Sequence, residues 1–592
     1  MRKIWYRWFL VINLCCLLFL FMTGCQKTQN NSVDNGKAKE MSTEDTQEDA
    51  SVGQKENAAQ SDNTEQSGNT EQSRNTEQNG NTKQSGNTEQ SDNTKQNGNT
   101  DQNELIFRDD LQGLFDNLTL AAPYKSIGDH NPLITQDFGA DPFAMVYGDR
   151  VYVYMTQDVY MYGADGNLKE NSYGAINSLR CISSSDLVNW TDQGWIHIGG
   201  IKGVSTWAKN SWAPTAIWKN IDGKDQFFVY FANGAGGIGV LTSDSPTGPF
   251  RDPLGKALIT NQTPNCSNVV WLFDPAVFTD NDGNSYLYFG GGIPEGQEEA
   301  PKTARVIELG ADMISTVGEA VSIDAPYMFE DSGINKIGET YCYTYCSNFS
   351  SRANAKGSYV PDGGEICYMT SDNPLGPWQY QGGVLKNPGY FFGTGGNNHH
   401  SMVQFNDKWY MFYHTSLLQD AIGVKGGYRS TNVNEVTINS DGSIKSVQAD
   451  KAGVEQLKTL NPYESVAAAT MSNNGGISVV EENRKSFKDP QVVSVSEIEN
   501  GDWIQVSGVD FGAGAVSLTL RFSCEGDGGA IKVCRDSLDG EVITYTEITN
   551  TGSYNDFIEI TVPVKEITGV HDIYFEFAGS GYHFNSWSFQ AK

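Results

Sequence analysis

"FDPAVFTDNDGNSYLYFGG", residues 273 to 291, sets an Asp-Pro ahead of a short apolar run, an Asn-Asp-Gly turn and an aromatic strand. A near copy, "ADPFAMVYGDRVYVYMT", begins at Ala140, and three looser ones follow the same plan. These are "APTAIWKNIDGKDQFFVYFAN" from Ala213, "EDSGINKIGETYCYTYC" from Glu330 and "HHSMVQFNDKWYMFYHT" from His399. Each places a polar residue near the start of an apolar strand, then a turn, then an alternating aromatic strand. Between them lie further strand and turn signals, such as "GIGVLTSDSPTGPF" and "EICYMTSDNPLGPWQY", without a long amphipathic helical period. Five repeats of short strands predict a five-bladed β-propeller over 105–455, in which the innermost strand of each blade lines a central channel. An Asp-Pro alone is an ordinary turn or strand start. Five polar residues at matching points, Asp141, Thr215, Asp274, Glu330 and His399, are expected to meet at one mouth of that channel.

The chain of 592 residues is long enough for more than one core, and 38% hydrophobic residues with 11% aromatics is globular on average. Three regions depart from that average. Residues 1–25 carry Arg2, Lys3 and Arg7 ahead of an apolar run ending "MTGC", the pattern of an export signal. That ending resembles a bacterial lipobox, which implies diacylglycerol on Cys25 and a cell-surface lipoprotein held at the extracellular face. Buried methylenes at about 0.8 kcal/mol each, on more than one chain, make such an anchor stable. Residues 26–104 contain almost nothing apolar, and from Ser61 they run as hexapeptides of the type "SGNTEQ". A stretch that cannot offset its ordering entropy reads as a disordered tether. A coil of about 79 residues reaches on the order of 50 Å.

The formal net charge is −31. Such an acidic surface repels phosphate backbones and anionic lipid, so nucleic acid is not an expected partner and the membrane is reached only through the lipid. Beyond the signal there are seven cysteines, an odd count without a close CxxC pair to suggest zinc. Cys524 and Cys534 flank "EGDGG", read as a turn, and are bridgeable if their side chains share a face.

Three carboxylates on an axis suit glycoside hydrolysis: one acid protonates the leaving oxygen, one base activates water, and a third raises the acid's pKa. The phrases "ADPFAMVYGDRVYVYMT", "SWAPTAIW", "FDPAVFTDNDGNSYLYFGG", "FEDSGINK" and "NNHHSMVQFNDKWYMFYHT" resemble, in order, the blade motifs of glycoside hydrolase family 43. The resemblance implies an inverting hemicellulase with Asp141 as general base, Asp274 as pKa modulator and Glu330 as general acid. It also implies an axial histidine that orients substrate or meets a structural calcium through water; no cofactor is otherwise required. His399 lies 11 residues before Tyr410, as Glu330 lies 11 before Tyr341, which favours it over His400. Arg429 in "GGYRST" resembles the family's glycone arginine, and Phe143 and Trp212 are placed as walls of the sugar subsite. The expected substrate is an arabinofuranosyl group on plant cell-wall arabinoxylan, xylan or arabino-oligosaccharide. A β-xylosidase, an endo-arabinanase and a non-catalytic carbohydrate-capturing lipoprotein are the alternatives.

Residues 456–592 shift to short alternating strands, read as a β-sandwich of jelly-roll type. "VDFGAGAVSLTLRF", "TGVHDIYFEFAG" and "FNSWSF" resemble the family 6 carbohydrate-binding module. Against that resemblance Ala467 and Ala469 stand where a calcium-binding acidic pair is usual. Asn585 replaces a calcium aspartate and His583 a sugar-binding asparagine. Tyr554 still matches the sugar-stacking aromatic. Loss of carboxylates weakens a hard-cation site, so the module is expected to bind sugar weakly or not at all and to serve the propeller as a structural partner.

Overall fold

The computed structural model describes residues 106–352, 359–482 and 491–592; the expected signal, Cys25 and the tether lie outside the described residues. The described chain is almost entirely β, and 103–592 forms one compact unit. Five antiparallel sheets follow one another as the blades of a propeller, and a further sheet network forms the C-terminal sandwich.

Blade one is built from Ala140–Tyr147, Arg150–Thr156, Ser178–Ser184 and Trp190–His197, in chain order from the axis outward. Blade two has Trp212–Ile221, Lys224–Ala232 and Ile238–Ser243. Blade three starts at Ala276–Thr279, blade four at Met328–Ile337, and each has four strands. Blade five has His400–Phe405, Lys408–Thr415 and Ser430–Val436. Four regular strands per blade is therefore too uniform an expectation. The outer edge of blade two is covered by isolated bridges from Arg251 and Ile259. That of blade five is covered by the segment leading into blade one, through Leu133 N–H to Thr431 O (2.8 Å) and Gly139 N–H to Arg429 O (3.1 Å). Pairing the last blade with the chain before the first closes the ring and leaves no open edge there.

The sandwich borrows an edge from the propeller. Thr470–Met471 pairs with Thr191 and Trp190 as a fifth strand of blade one. Two strands of unusual length, Ala515–Arg535 and Val570–Ala591, pair along their whole course and bend from one face of the sandwich to the other. The "EGDGG" stretch is thus a corner inside one continuous strand and not a hairpin turn. Cys524 and Cys534 sit far apart along it, and all seven described cysteines are free and buried, which corrects the bridging expectation.

The N-terminal boundary also moves. Residues 107–121 were expected to open the propeller, but they lie on the sandwich. Leu111 and Phe115 pack with Ala530, Tyr545 and Ala578, Arg108 pairs with Glu547 at 2.7 Å, and Trp503 Nε1 donates to Ala121 O at 2.8 Å. The strap is apolar on that face because it finishes the sandwich core's edge.

Candidate active site

The sheet register shows how the axial residues are set. In blade one Ala140 pairs with Thr156 and Phe143 with Tyr154, so two residues bulge out between them. The same skip occurs between Trp212 and Thr215 in blade two and between Glu330 and Gly333 in blade four. The first bulged residue takes a left-handed backbone at Asp141 (φ 48°), Ala213 (φ 38°), Asp274 (φ 47°) and Asp331 (φ 69°). Bulges re-aim side chains and cluster beside functional sites, and Asp tolerates this conformation better than most residues. Glu330 therefore matches Ala140, Trp212 and Phe273, one residue ahead of the position held by Asp141 and Asp274, and the five polar residues are not strictly equivalent. Thr215 is likewise displaced: it is fully buried, and its hydroxyl accepts from the Val277 N–H of blade three (3.1 Å) instead of facing the channel mouth.

Even so, Asp141, Asp274, Glu330, Trp212, His399 and Arg429 line one cavity of about 100 Å³, together with Tyr173, Ile176, Ala213, Phe273 and Asn397. Phe143 is not among them. It packs into the core between blades one and two with Ala216, Phe227 and Val229, because the residue after the bulge turns back into the sheet. Phe273 and Tyr173 supply the aromatic wall in its place. Trp212 is fixed by Nε1 donating to Tyr173 O at 2.9 Å.

The three carboxyls are buried but differently surrounded. Burial alone would push Asp141 up, yet Arg429 Nη1 lies 2.8 Å from its Oδ1, and the guanidinium holds the carboxyl well below the usual carboxylate range. His414 adds a second restraint. Its Nε2 donates to Asn397 O (3.0 Å), and its Nδ1 is 3.1 Å from the Asp141 backbone N, placed to accept that N–H. Glu330 is driven the other way: burial, then the charges of Asp274 and Asp141, push it well above its ordinary value. Its Oε1 is buried with no hydrogen-bond partner. Asp274 is raised as well, by burial and by Asp141, while its Oδ2 accepts the Asp331 N–H at 2.9 Å.

His399 stands between the acids, with Nδ1 3.8 Å from both Asp141 Oδ1 and Asp274 Oδ2 and Nε2 3.1 Å from Asp331 Oδ1. Burial lowers its pKa. The other oxygen of Asp331 faces Nδ1 of His400, whose Nε2 meets Thr344 Oγ1 at 2.8 Å, so His400 is part of the wall behind the site. Among the described residues no cluster of three or more His, Cys, Asp or Glu side chains is arranged as a metal site. Asp331 Oδ2 is taken up by His400, while its Oδ1, 3.1 Å from His399 Nε2, is buried without a hydrogen-bond partner.

Two partners escaped sequence reasoning. Asp158 is fully buried and grips Arg429 through Nε (3.0 Å), Nη2 (2.7 Å) and the backbone N–H (2.9 Å). Tyr173 lies under the guanidinium at 4.9 Å. "MTQDVYMY" carries no repeat signal to single out Asp158, and Tyr173 comes from a short 3-10 turn, Tyr173–Ala175, between strands.

In the sandwich, Asn585 is held at both ends of its amide: its Oδ1 accepts from Arg521 and its Nδ2 donates to Ser494 Oγ at 3.0 Å. A guanidinium thus sits on the oxygen that a calcium ion would need. Ala469 is buried and Ala467 half-buried, neither offering a ligand oxygen from its side chain. The Tyr554 ring is stacked at 4.2 Å and 12° on the His583 imidazole, which Glu482 holds through Nδ1 at 2.6 Å.

An axial cavity that keeps one buried carboxyl ionised and another protonated, walled by aromatic rings, defines a propeller glycosidase. Residues 130–444 match the family model "Glycosyl hydrolases family 43" and residues 467–591 "Carbohydrate binding module (family 6)". A Bacillus subtilis arabinoxylan arabinofuranohydrolase is 48% identical over 487 residues, 79% of this chain and 94% of that protein. One from Paenibacillus polymyxa is 46% identical over 480 residues, 78% of this chain and 75% of its own length. The crystal structure of a Bacillus subtilis family 43 arabinoxylan arabinofuranohydrolase, in complex with cellotetraose, superposes with a TM-score of 0.77 at 47% identity, covering 80% of this chain and 99% of that one. The chain belongs to glycosyl hydrolase family 43 and carries a family 6 carbohydrate-binding module.

Proposed function

We propose that the protein is an inverting α-L-arabinofuranosidase acting on arabinoxylan or arabino-oligosaccharides. One observation carries the reading: Asp141 and Glu330 share a small cavity whose surroundings drive their protonation in opposite directions. Asp141, kept ionised by Arg429, takes a proton from a water molecule while the water oxygen attacks the anomeric carbon. Glu330, kept protonated, gives its proton to the glycosidic oxygen as the carbon–oxygen bond breaks. The products are free arabinose of inverted anomeric configuration and a polysaccharide or oligosaccharide that has lost that arabinosyl group, and solvent exchange resets both carboxyls. Burial first, then the charges of Asp274 and Asp141, hold Glu330 protonated, which gives Asp274 its part as pKa modulator. Trp212, Phe273 and Tyr173 face the sugar ring, and His399 and Arg429 orient it. The reaction needs no cofactor, and no step runs through calcium.

A cavity of about 100 Å³ suits a single terminal sugar better than the interior of a chain, and the two relatives named arabinoxylan arabinofuranohydrolases favour arabinofuranoside over β-xyloside or endo-arabinan. We further propose that Cys25 carries a lipid anchor, so that the enzyme works at the cell surface on plant cell-wall polysaccharide. Incubation with nitrophenyl arabinofuranoside and nitrophenyl xyloside, followed by NMR of the first-formed anomer, tests the reading. Release from the arabinofuranoside with inversion is expected. Exclusive release from the xyloside, or retention, overturns it.

A further inference from the structure

Two arginines clamp the same two chain segments. Asp141 ends the stretch 136–141, and Asp158 follows the strand Arg150–Thr156. Arg429 joins them directly, with Nη1 on Asp141 and Nε and Nη2 on Asp158. Arg180, in the third strand of blade one, joins the same segments a few residues further from the cavity. Its Nη1 donates to Asp137 Oδ2 at 2.5 Å and approaches Gln157 Oε1 at 3.4 Å. Gln157 Nε2 closes the loop by donating to Asp137 Oδ1 (3.1 Å) and to the Asp158 carbonyl (2.9 Å).

Arg180 is fully buried, stacks on Trp195 at 4.5 Å, and its Nη2 reaches the fully buried Asp192. Asp192 is in turn fixed by Gln136 Nε2 (2.9 Å) and by the Gly194 N–H (2.9 Å). One guanidinium with two carboxylates inside a blade is costly to desolvate, and apolar residues of like volume often serve stability as well or better. Neither Arg180 nor its partners lines the sugar cavity. What they do control is the distance between Asp137 and Gln157, and so the spacing of Asp141 and Asp158 that Arg429 must span.

We propose that Arg180 is a positioning residue for Asp141: through Asp137 and Gln157 it sets the gap that Arg429 bridges. The inference rests on the reading of Asp141 as the general base. The groups facing Asp141 are Arg429, His414 and His399 from blade five, Asp274 from blade three and Glu330 from blade four, and all of them remain when Arg180 is altered.

Arg180→Lys and Gln157→Leu test it in the full-length enzyme. An ammonium cannot span Asp137, Gln157 and Asp192 from one planar fork, and leucine removes the link at Gln157 while keeping its bulk. In each, kcat should fall about tenfold with KM within about twofold, since a small misplacement of a reacting group is enough. The acidic limb of the kcat/KM profile should move up by at least about half a pH unit as Arg429 loses its fit to Asp141. Val153→Ala, which loosens the same blade's core without touching the clamp, controls for general destabilisation: its thermal midpoint should fall while its acidic limb stays in place. Asp141→Asn, run in parallel, separates the two failures. A fully active Asp141→Asn enzyme overturns the reading of Asp141 and this proposal with it. A crippled Asp141→Asn enzyme beside an unmoved acidic limb in Arg180→Lys and Gln157→Leu overturns the positioning role alone.

Discussion

Arg429→Met is the sharpest perturbation of the site, because it removes the cation that keeps Asp141 ionised. The two charges are 2.8 Å apart and both side chains are under a tenth exposed. At an effective dielectric near 20 their attraction is about 6 kcal/mol. At about 1.4 kcal/mol per pH unit, that corresponds to about four units on the Asp141 carboxyl. The nearby rings of His414 and His399 return part of this. Asp141 works only when ionised, so activity is present above its pKa and lost as pH falls through it. Stripping away the guanidinium lets burial dominate, and the acidic limb of kcat/KM on an aryl arabinofuranoside should rise by about two to four pH units. The substitution also leaves Asp158 buried without its cation, at a cost of about 3–5 kcal/mol. The double variant Arg429→Met/Asp158→Asn removes that charge and should recover much of the lost thermal midpoint while keeping the shifted limb. An acidic limb within half a unit of the wild type in both folded proteins would refute the account of how Asp141 is held ionised.

Glu330→Gln should cost about 10²- to 10⁴-fold in kcat and yet raise the thermal midpoint at pH 8. A carboxyl whose folded pKa is raised contributes stability that is full below its unfolded pKa and lost as pH rises through the folded value. Calorimetry should find the variant ahead of the wild type at pH 8 and level with it near pH 4; a deficit at both would contradict the raised pKa. Titrating the full chain with xylan and arabinoxylan, with and without calcium, should give no tight binding that depends on Tyr554. Tight calcium-dependent binding abolished by Tyr554→Ala would overturn the reading of the module. Removing residues 456–592 should give an aggregated product, since it bares the edge of blade one at Trp190 and Thr191 and the apolar face of Leu111 and Phe115. A soluble, fully active product would show that the module is dispensable for the fold.

The propeller was legible because its period is written in turn residues and aromatic strands, and five copies average out local ambiguity. The site was legible where chemistry and repeat coincide, as at Asp141 and Asp274. What the repeat could not give was register. A bulge of two residues looks in sequence like continuous strand, and a shift of one residue turns a side chain to the other face. This is why Thr215 was expected at the mouth and is in the wall, and why Phe143 was expected in the cavity and is in the core. The strap over 107–121 and the strand Thr470–Met471 were hidden for another reason: their partners lie hundreds of residues away, and neither carries a pattern longer than a few residues.

The register offset also bears on how one fold gives two carboxyls different work. Asp141 occupies the left-handed bulge position, where its backbone N–H turns toward His414 and its carboxyl toward Arg429. Glu330 sits one place earlier, at the level where the other blades carry Trp212 and Phe273. Its neighbours there are aromatic walls and acids, with Arg429 acting on it only as a lesser charge. A glutamate at a position where two other blades carry large aromatic side chains is desolvated by the same geometry that brings those side chains to the cavity. The longer side chain matters as well, since it starts one residue back yet reaches the same cavity. Ionisation at Asp141 thus follows from the guanidinium that its bulge position reaches, and protonation at Glu330 from burial among acids; Asp274, at the same bulge position but without a bonded cation, is raised as Glu330 is.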